Sequence, residues 1–495
     1  MSAEGGRRLH PASLITGILD SIRSSILALL PIFGSIAFAE RPFVSVPIAF
    51  LILAGLILVP TIKWMRFRYT IGDDALVIEQ GVISRQRRVI PFERVQDIDV
   101  ERGPIARATG TALVKVETGG GGKDEGTLDV VTLAEVERLR AAIRGWRGAA
   151  PATDAAATEV AASPPDQLIY AMPISRVVLS GVLGFSLVSI AVIFGALQYV
   201  EPLVEGTRYD VYDFIREQVG SRRIDPREAA TGARMLATAA FVASLVGAAL
   251  VLGFVTGIVL ALLRDFGFRL SWSGAAFRVR RGLLTIREVQ VPRGRVQRVI
   301  LKAPLLLRLM KYRRVELGTI GGASEMGGSH VVAPLARSEE INRITDLLHL
   351  DAAPAGWRRG HGLMVLQRSG RLLTAMLTPM VVLGVLVPWT LPLVPVVLIP
   401  ILAVGWLAWR GERHAIEQGA LHVRNGILGI RHVIVPMRRI QSVTIRRGWI
   451  ERAIGLSSVI VDVAGASTYT VPVVSGLVPD DARRLAAALL IGRRG

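Results

Sequence analysis

The sequence predicts an α+β membrane protein: six transmembrane helices in three hairpins, each hairpin followed by a small cytoplasmic β domain closed by a C-terminal helix. Three observations carry this prediction. The 495-residue chain is 51% hydrophobic with a mean hydropathy of +0.45, which is too apolar for a string of soluble domains or for intrinsic disorder. Six stretches approach the roughly 20 apolar residues that a helix needs to cross a bilayer. After each pair of them the same polar pattern returns, which marks an internal repeat. With no cysteine in the chain, disulfides, thiolate nucleophiles, iron–sulfur clusters and cysteine zinc sites are excluded. A net charge of +19 in so apolar a chain points to loops beside anionic lipid, not to nucleic acid.

The elements follow in order. Residues 1–66 form the first hairpin, with spans near Ser24–Ala39 and Phe43–Ile62 joined by Glu40-Arg41-Pro42. A second span arriving so soon argues for an anchor and against a signal peptide. Residues 67–147 are the first module, and 148–173, rich in Ala, Pro, Ser and Thr, read as a flexible linker. Residues 174–265 hold the second hairpin, with spans near Val177–Val200 and Met235–Leu263 around a polar loop, 201–234. Then come the second module (266–350), a second linker (351–371), the third hairpin (372–411, turning near Pro388–Pro392) and the third module (412–493). The 201–234 loop holds six arginines against seven acids, so it nets −1 while the rest of the chain carries +20. The positive-inside rule therefore places both termini and all three modules in the cytoplasm.

The repeat is specific. Gly81 is followed by Pro91, Arg94 and Gln96, Gly282 by Pro292, Arg295 and Gln297, and Gly426 by Pro436, Arg439 and Gln441. Each time the glycine-to-proline step is ten residues, and arginine and glutamine follow the proline by three and five. A further arginine recurs at Arg107, Arg308 and Arg452. Within a copy, Ala75–Gln80, Arg87–Pro91, Val95–Val100 and Ala112–Glu117 collect β-formers between turn residues. The glycine suits a hairpin that demands an unusual backbone conformation, and the proline suits a strand end. Each copy closes with apolar residues at i, i+3, i+7: Val136, Leu139 and Ile143; Ile341, Ile344 and Leu348; Ala482, Leu485 and Leu489. Thr132 and Ser338 are the expected N-caps of the first two helices.

Two-span hairpins each followed by this module resemble the bacterial pleckstrin-homology (PH) domain family of the second type, in its three-module, YdbT-like form. The shorter YdbS-like members carry a single module. The opening Arg8-Leu9-His10-Pro11 is similar to the start of such chains. The resemblance implies a seven-stranded β sandwich or partly open barrel capped by a helix, and little chemistry. A smaller single-module membrane protein of the same kind is the partner it suggests. The second copy departs from the pattern, with Gly294 before Arg295 and Lys311 where the others have Gly110 and Gly455.

The inventory of catalytic groups is thin. There is no His-Glu-x-x-His or P-loop pattern and no nucleophile elbow, so neither an enzyme nor a cofactor is expected. The seven histidines read as scattered surface residues, including His422 and His432 in the third module. Gly119–Gly122 reads as a flexible hairpin tip, and Arg85-Gln86-Arg87-Arg88 as a solvated strand edge. The candidate binding residues are Arg94, Gln96, Arg295, Gln297, Arg439 and Gln441. They either hold backbone carbonyls and dock each module on its neighbour, or they grip an anionic head group or acidic partner. The leading function is a non-enzymatic scaffold that binds partner proteins or lipid head groups by multivalent contact. Transport or export through the six helices is the alternative. The sequence sets no oligomeric state.

Overall fold

The computed structural model describes residues 7–37, 42–81, 85–118, 126–149, 167–184, 226–319, 328–386, 394–466 and 470–492. The glycine-rich tip at 119–122, most of the 201–234 loop and the turn at 388–392 lie outside these residues. In module 1 a meander of β1 (Arg68–Ile71), β2 (Ala75–Gln80) and β3 (Gln86–Pro91) precedes β4 (Val95–Arg102). The short helix Pro104–Ala108, β5 (Thr111–Thr118), β6 (Thr127–Thr132) and the closing helix Leu133–Ala149 complete it. The repeated glycine has the predicted role. Gly81, Gly282 and Gly426 sit at φ 119°, 113° and 125°, and a Cβ on Gly282 or Gly426 would collide with the carbonyl oxygen three residues on. The repeated prolines end β3 and its counterparts in modules 2 and 3, also as predicted.

Module 2 contains β7 (Gln167–Ala171), β8 (Arg269–Trp272), β9 (Ala276–Arg281), β10 (Ile286–Pro292), β11 (Val296–Ala303), β12 (Arg313–Thr319) and β13 (Ser329–Ala336). Helices Leu305–Leu309 and Ser338–Asp346 complete it. Module 3 contains β14 (Arg413–Glu417), β15 (Ala420–Asn425), β16 (Ile430–Pro436), β17 (Ile440–Arg446), β18 (Ser457–Val463) and β19 (Val473–Leu477), with helices Trp449–Ala453 and Pro479–Gly492. The closing helices bury the faces that the sequence marks, among them Leu139, Ile344 and Leu489. Thr132 Oγ1 accepts the Glu135 N–H at 3.3 Å, as expected of a cap. The second cap lies one residue before the expected Ser338: Glu340 accepts the Arg337 N–H at 2.7 Å, and Ser338 is the first helical residue.

Both expected linkers need correction at their ends. The closing helix of module 1 runs to Ala149, and Gln167–Ala171 is strand β7, paired antiparallel with β8. Its Ile169 and Tyr170 are buried, and the Tyr170 hydroxyl donates to the Leu335 carbonyl at 2.8 Å. In the second linker Arg358 exchanges backbone hydrogen bonds with His414 at 2.7 and 2.9 Å, and the following helix already starts at Met364. Arg7 pairs in the same way with Tyr69 at 2.8 and 3.0 Å. In every module, then, backbone from before the hairpin pairs with the first strand after it.

The sheets do not stop at module boundaries. The second half of module 1 and the first half of module 2 form one seven-stranded sheet, β6-β5-β4-β10-β9-β8-β7. Module 2 joins module 3 in the same way, as β13-β12-β11-β16-β15-β14. The two seams share one register: Ile286 lies opposite Arg102, and Ile430 opposite Ala303, which are corresponding positions of the repeat. Each module has an apolar core, that of module 1 including Leu76, Phe92, Val114 and Leu128. The core of module 3 takes in Ile300 from β11 of module 2.

Helices Ala12–Ala37 and Pro42–Arg66 pack together, as do Met364–Leu386 and Val394–Gly411. Leu9 and Phe67, just outside the first pair, enter the core of module 1. Residues Met172–Gly267 form a separate compact unit in which Ile174–Leu183 packs against Pro226–Asp265. There Gly181 and Gly257 let the two backbones approach: a Cβ on Gly181 would lie 2.8 Å from the Gly257 carbonyl oxygen. Of the six expected spans, the described residues contain one stretch that meets the length and apolarity of a membrane-crossing helix, Val246–Asp265.

Candidate functional site: the seams and the ends of the module row

The six recurring Arg and Gln residues do not converge on one site. They stand one pair per module, where the third strand turns into the fourth. Arg94 is exposed. Arg295 is half-buried, and Gln297, buried, donates through Nε2 to the Arg295 carbonyl at 3.2 Å. Arg439 reaches across the second seam to donate to the Gly294 carbonyl at 2.5 Å, and burial beside Arg438 lowers its pKa. Gln441 is exposed on β17, and the backbone of Gln96 is placed in β4. The later recurring arginine acts similarly at the first seam, where Arg107 donates to the Leu283 carbonyl at 3.1 Å.

Electrostatics distinguish the two seams. At the first, acidic β4 meets β10, whose Arg287 and Glu288 cancel, and Glu101 lies 3.3 Å from Arg287 and 2.9 Å from Lys115. At the second, Arg298 is fully buried in β11 and donates to the Gly465 carbonyl of module 3 at 3.0 Å. Burial, with Arg431 nearby, lowers its pKa to about 10. Gly318 on the neighbouring strand leaves the space, since a Cβ there would lie 2.8 Å from the Arg298 Nε. Only the identity of Arg298 against Asp97 and Ser442 at the matching positions could have signalled this strut in the sequence.

His422 and His432 are not surface residues. They lie on adjacent strands β15 and β16, buried, with Nδ1 of His422 3.2 Å from Nε2 of His432. The rings flank the Gly426 hairpin and share a sheet face, a placement that hairpin counting could have revealed. Trp357 stacks edge-on to His432 at 5.3 Å. Burial, then His422, Arg313 and Arg424, push the His432 pKa down to about 3, and burial also lowers that of His422. The pair is neutral at physiological pH, and among the described residues no group of three potential ligands could hold a metal ion.

At the outer ends of the row, β3 and β17 are edge strands: among the described residues no further strand pairs with either. Ile445 on β17 is 40% exposed, whereas Leu301 and Val100 at the matching seam positions are 1% and 8% exposed. Val89 on β3 is 54% exposed, against 0% for Ile434. Beside β17 opens a cavity of about 610 Å³ lined by Arg446, Trp449, Arg431, Gln367 and Glu451. Within it Gln367 donates to Glu451 at 2.6 Å, and Arg368 pairs with Glu412.

The family model described as Bacterial PH domain matches three times, over residues 25–145, 232–351 and 371–491. The chain belongs to that family. It is 22% identical over 463 residues, 88% of each chain, to the UPF0699 transmembrane protein YdbT of Bacillus subtilis (strain 168). It is also 26% identical over 86 residues to the UPF0699 transmembrane protein YdbS of the same organism, covering 17% of this chain and 52% of that one. No solved structure matches. The three matches make the chain a protein of three repeated PH domains, and both relatives that it resembles are named transmembrane proteins.

Proposed function

For a member of the bacterial PH domain family, we propose a non-enzymatic scaffold of the cytoplasmic membrane. Six helices in three hairpins would hold both termini and all three modules on the cytoplasmic side, as the charge split between residues 201–234 and the remainder supports. The modules form one continuous row, and its two end strands are docking edges for a protein partner that adds a strand. The observation that carries this reading is the exposure of Ile445 and Val89 at positions that the second seam buries.

The proposed occupant of β3 is a PH-like module of a second, smaller membrane protein, presenting an acidic strand. Inside the chain, Glu101 of β4 pairs with Arg287 of β10, and Arg85 just before β3, with Arg87 and Arg88 within it, makes this edge more basic than β10. A second copy of the chain fits less well, because the seam register would set Arg85 opposite Arg447 and Gln86 opposite Arg446. The net positive charge also suits contact with anionic head groups. No observation among the described residues favours transport.

The test is co-expression with a single-module bacterial PH membrane protein from the same genome. Arg85→Glu with Arg87→Glu should abolish co-purification without lowering the melting temperature. Unchanged co-purification, or none with the unaltered chain, would refute strand addition at β3. Topology has its own test. A cysteine introduced at 201–234 should label from outside intact cells and one at Gly120 should not.

A further inference from the structure

The second seam contains a feature that strand addition does not use. Between the turn after β11 in module 2 and the β15–β16 hairpin of module 3 lies a cavity of about 370 Å³. Arg308, Lys311, Arg313 and Arg424 line it, with His432 and Trp357 also on its wall, and no carboxylate is among its described lining residues. Asp351, adjacent in sequence to the lining residue Ala352, turns its carboxylate to the Ala353 N–H at 2.9 Å. Arg424 Nε is buried with no hydrogen-bond partner. Burial and the neighbouring Arg413, Arg308 and Arg313 all disfavour its charge.

Lys311 supplies an independent observation. It holds φ 59°, a left-handed conformation uncommon for residues other than glycine. Its counterparts Gly110 and Gly455 adopt φ 66° and 72° without a side chain to strain. Module 2 alone thus places a cation at a position that the fold prefers to give to glycine. Strained backbone of this kind concentrates where a site needs it.

Comparison with the first seam shows that the charge is not a generic property of the joint. There, Arg280 occupies the position of Arg424 and faces Glu288 across the strands, whereas Arg424 faces the neutral His432. Gly110 and Ala112 replace Lys311 and Arg313, and Arg107 replaces Arg308. The same five positions therefore net +1 at the first seam and +4 at the second. Four converging cations without a counter-charge are unfavourable alone and become favourable around a multiply charged anion.

We propose that the cavity between modules 2 and 3 is a binding site for a phosphate-bearing anion, gripped by Arg308, Lys311, Arg313 and Arg424. The shared chemistry is a phosphate group, from either a lipid head group or a free phosphate compound. This site is independent of the docking edges, because it lies at an internal seam and uses none of the residues of β3 or β17.

The test uses the full chain in nanodiscs and isothermal titration with inorganic pyrophosphate. In parallel, the same chain in discs of phosphatidylcholine alone is titrated with short-chain phosphatidylglycerol. The unaltered chain should bind one of the two saturably, and the arm that responds identifies the source. Lys311→Gly with Arg313→Ala installs the residues of module 1 and removes the strained φ, so folding should be unimpaired. The double variant should weaken binding by about tenfold or more, with a melting temperature no lower than before. A double variant that binds as the unaltered chain does, or an unaltered chain that binds neither probe, would overturn the proposal.

Discussion

The seams and the ends of the module row are built from equivalent strands, yet they present opposite surfaces to water. Strand β11 is buried along almost its whole length under β16, while β17, the same strand of the repeat, has five of its seven residues exposed. Sequence at the strand does not explain the difference: Leu301 and Ile445 are both large and aliphatic. What differs is whether a next module exists to cover them. The fold of one module thus leaves an edge that only a neighbour completes, and among the described residues the row of three leaves two such edges, β3 and β17, unpaired. Both ends are rich in arginine, including Arg85 and Arg87 at one and Arg446 and Arg447 at the other, and charged side chains on an open edge oppose unselective strand pairing.

The largest expected effect breaks this comparison directly. Leu301→Ala removes a side chain at 1% exposure and should cost about 2–5 kcal/mol. Ile445→Ala, at the matching position and 40% exposed, should cost under about 1 kcal/mol. Denaturation of the two variants in detergent measures the difference. Equal losses would mean that the open edge is covered in the protein as it exists.

The next effect sharpens the contrast between the two seams through pH. The His422–His432 pair lies at the second seam, and the first has no counterpart. The folded pKa of His432, about 3, lies below the ordinary value of 6.5. Between those values the unfolded chain binds the proton that the folded chain refuses. Stability is therefore complete above about pH 6.5 and is lost as the pH falls below it, on the order of 1 kcal/mol per pH unit for each suppressed protonation. Melting between pH 7 and 5 should show the loss. Replacing both histidines by Gln should flatten the slope in this window. A slope that survives the replacement would assign the acid sensitivity to other groups, first among them His414, whose pKa burial and then Arg358 also lower.

Much of each module was legible because its signals are local. Ala75–Gln80 collects β-formers between Asp74 and Gly81, Gly81 and its counterparts need positive φ, and Val136, Leu139 and Ile143 define one helix face. What the sequence did not reveal is which edges meet. Backbone hydrogen bonding is the same for any pair of strands, so nothing in Ile286–Pro292 names β4 as its neighbour. Strand β7 was hidden for a related reason. Its five residues follow a run of Ala and Pro that reads as linker, and its partner β8 lies about a hundred residues away, beyond the second hairpin. The candidate residues were found by repetition, but repetition does not distinguish a surface contact from a strut. Arg298, the most deeply buried cation of the second seam, escaped notice because modules 1 and 3 carry Asp97 and Ser442 there.

The smallest expected effect concerns the recurring arginines, which one repeat position places in different surroundings. Arg439 donates to the Gly294 carbonyl across the second seam, so Arg439→Gln removes a charged donor and leaves that carbonyl to water or to the shorter amide. Gly294 is exposed, so water can replace much of the bond, and the loss should be about 1 kcal/mol, not the larger penalty of a buried orphan acceptor. Arg94 precedes β4 at the outer end of the row and is exposed, so Arg94→Gln should change stability by less than about 0.5 kcal/mol. Melting of the two variants, with flotation on anionic vesicles alongside, separates the two roles first assigned to these residues. A stability loss confined to Arg439→Gln with unchanged flotation makes that arginine a clasp between modules. Lost flotation in both variants with unchanged melting would instead make the repeated position a phosphate contact, and the seam bond incidental to it.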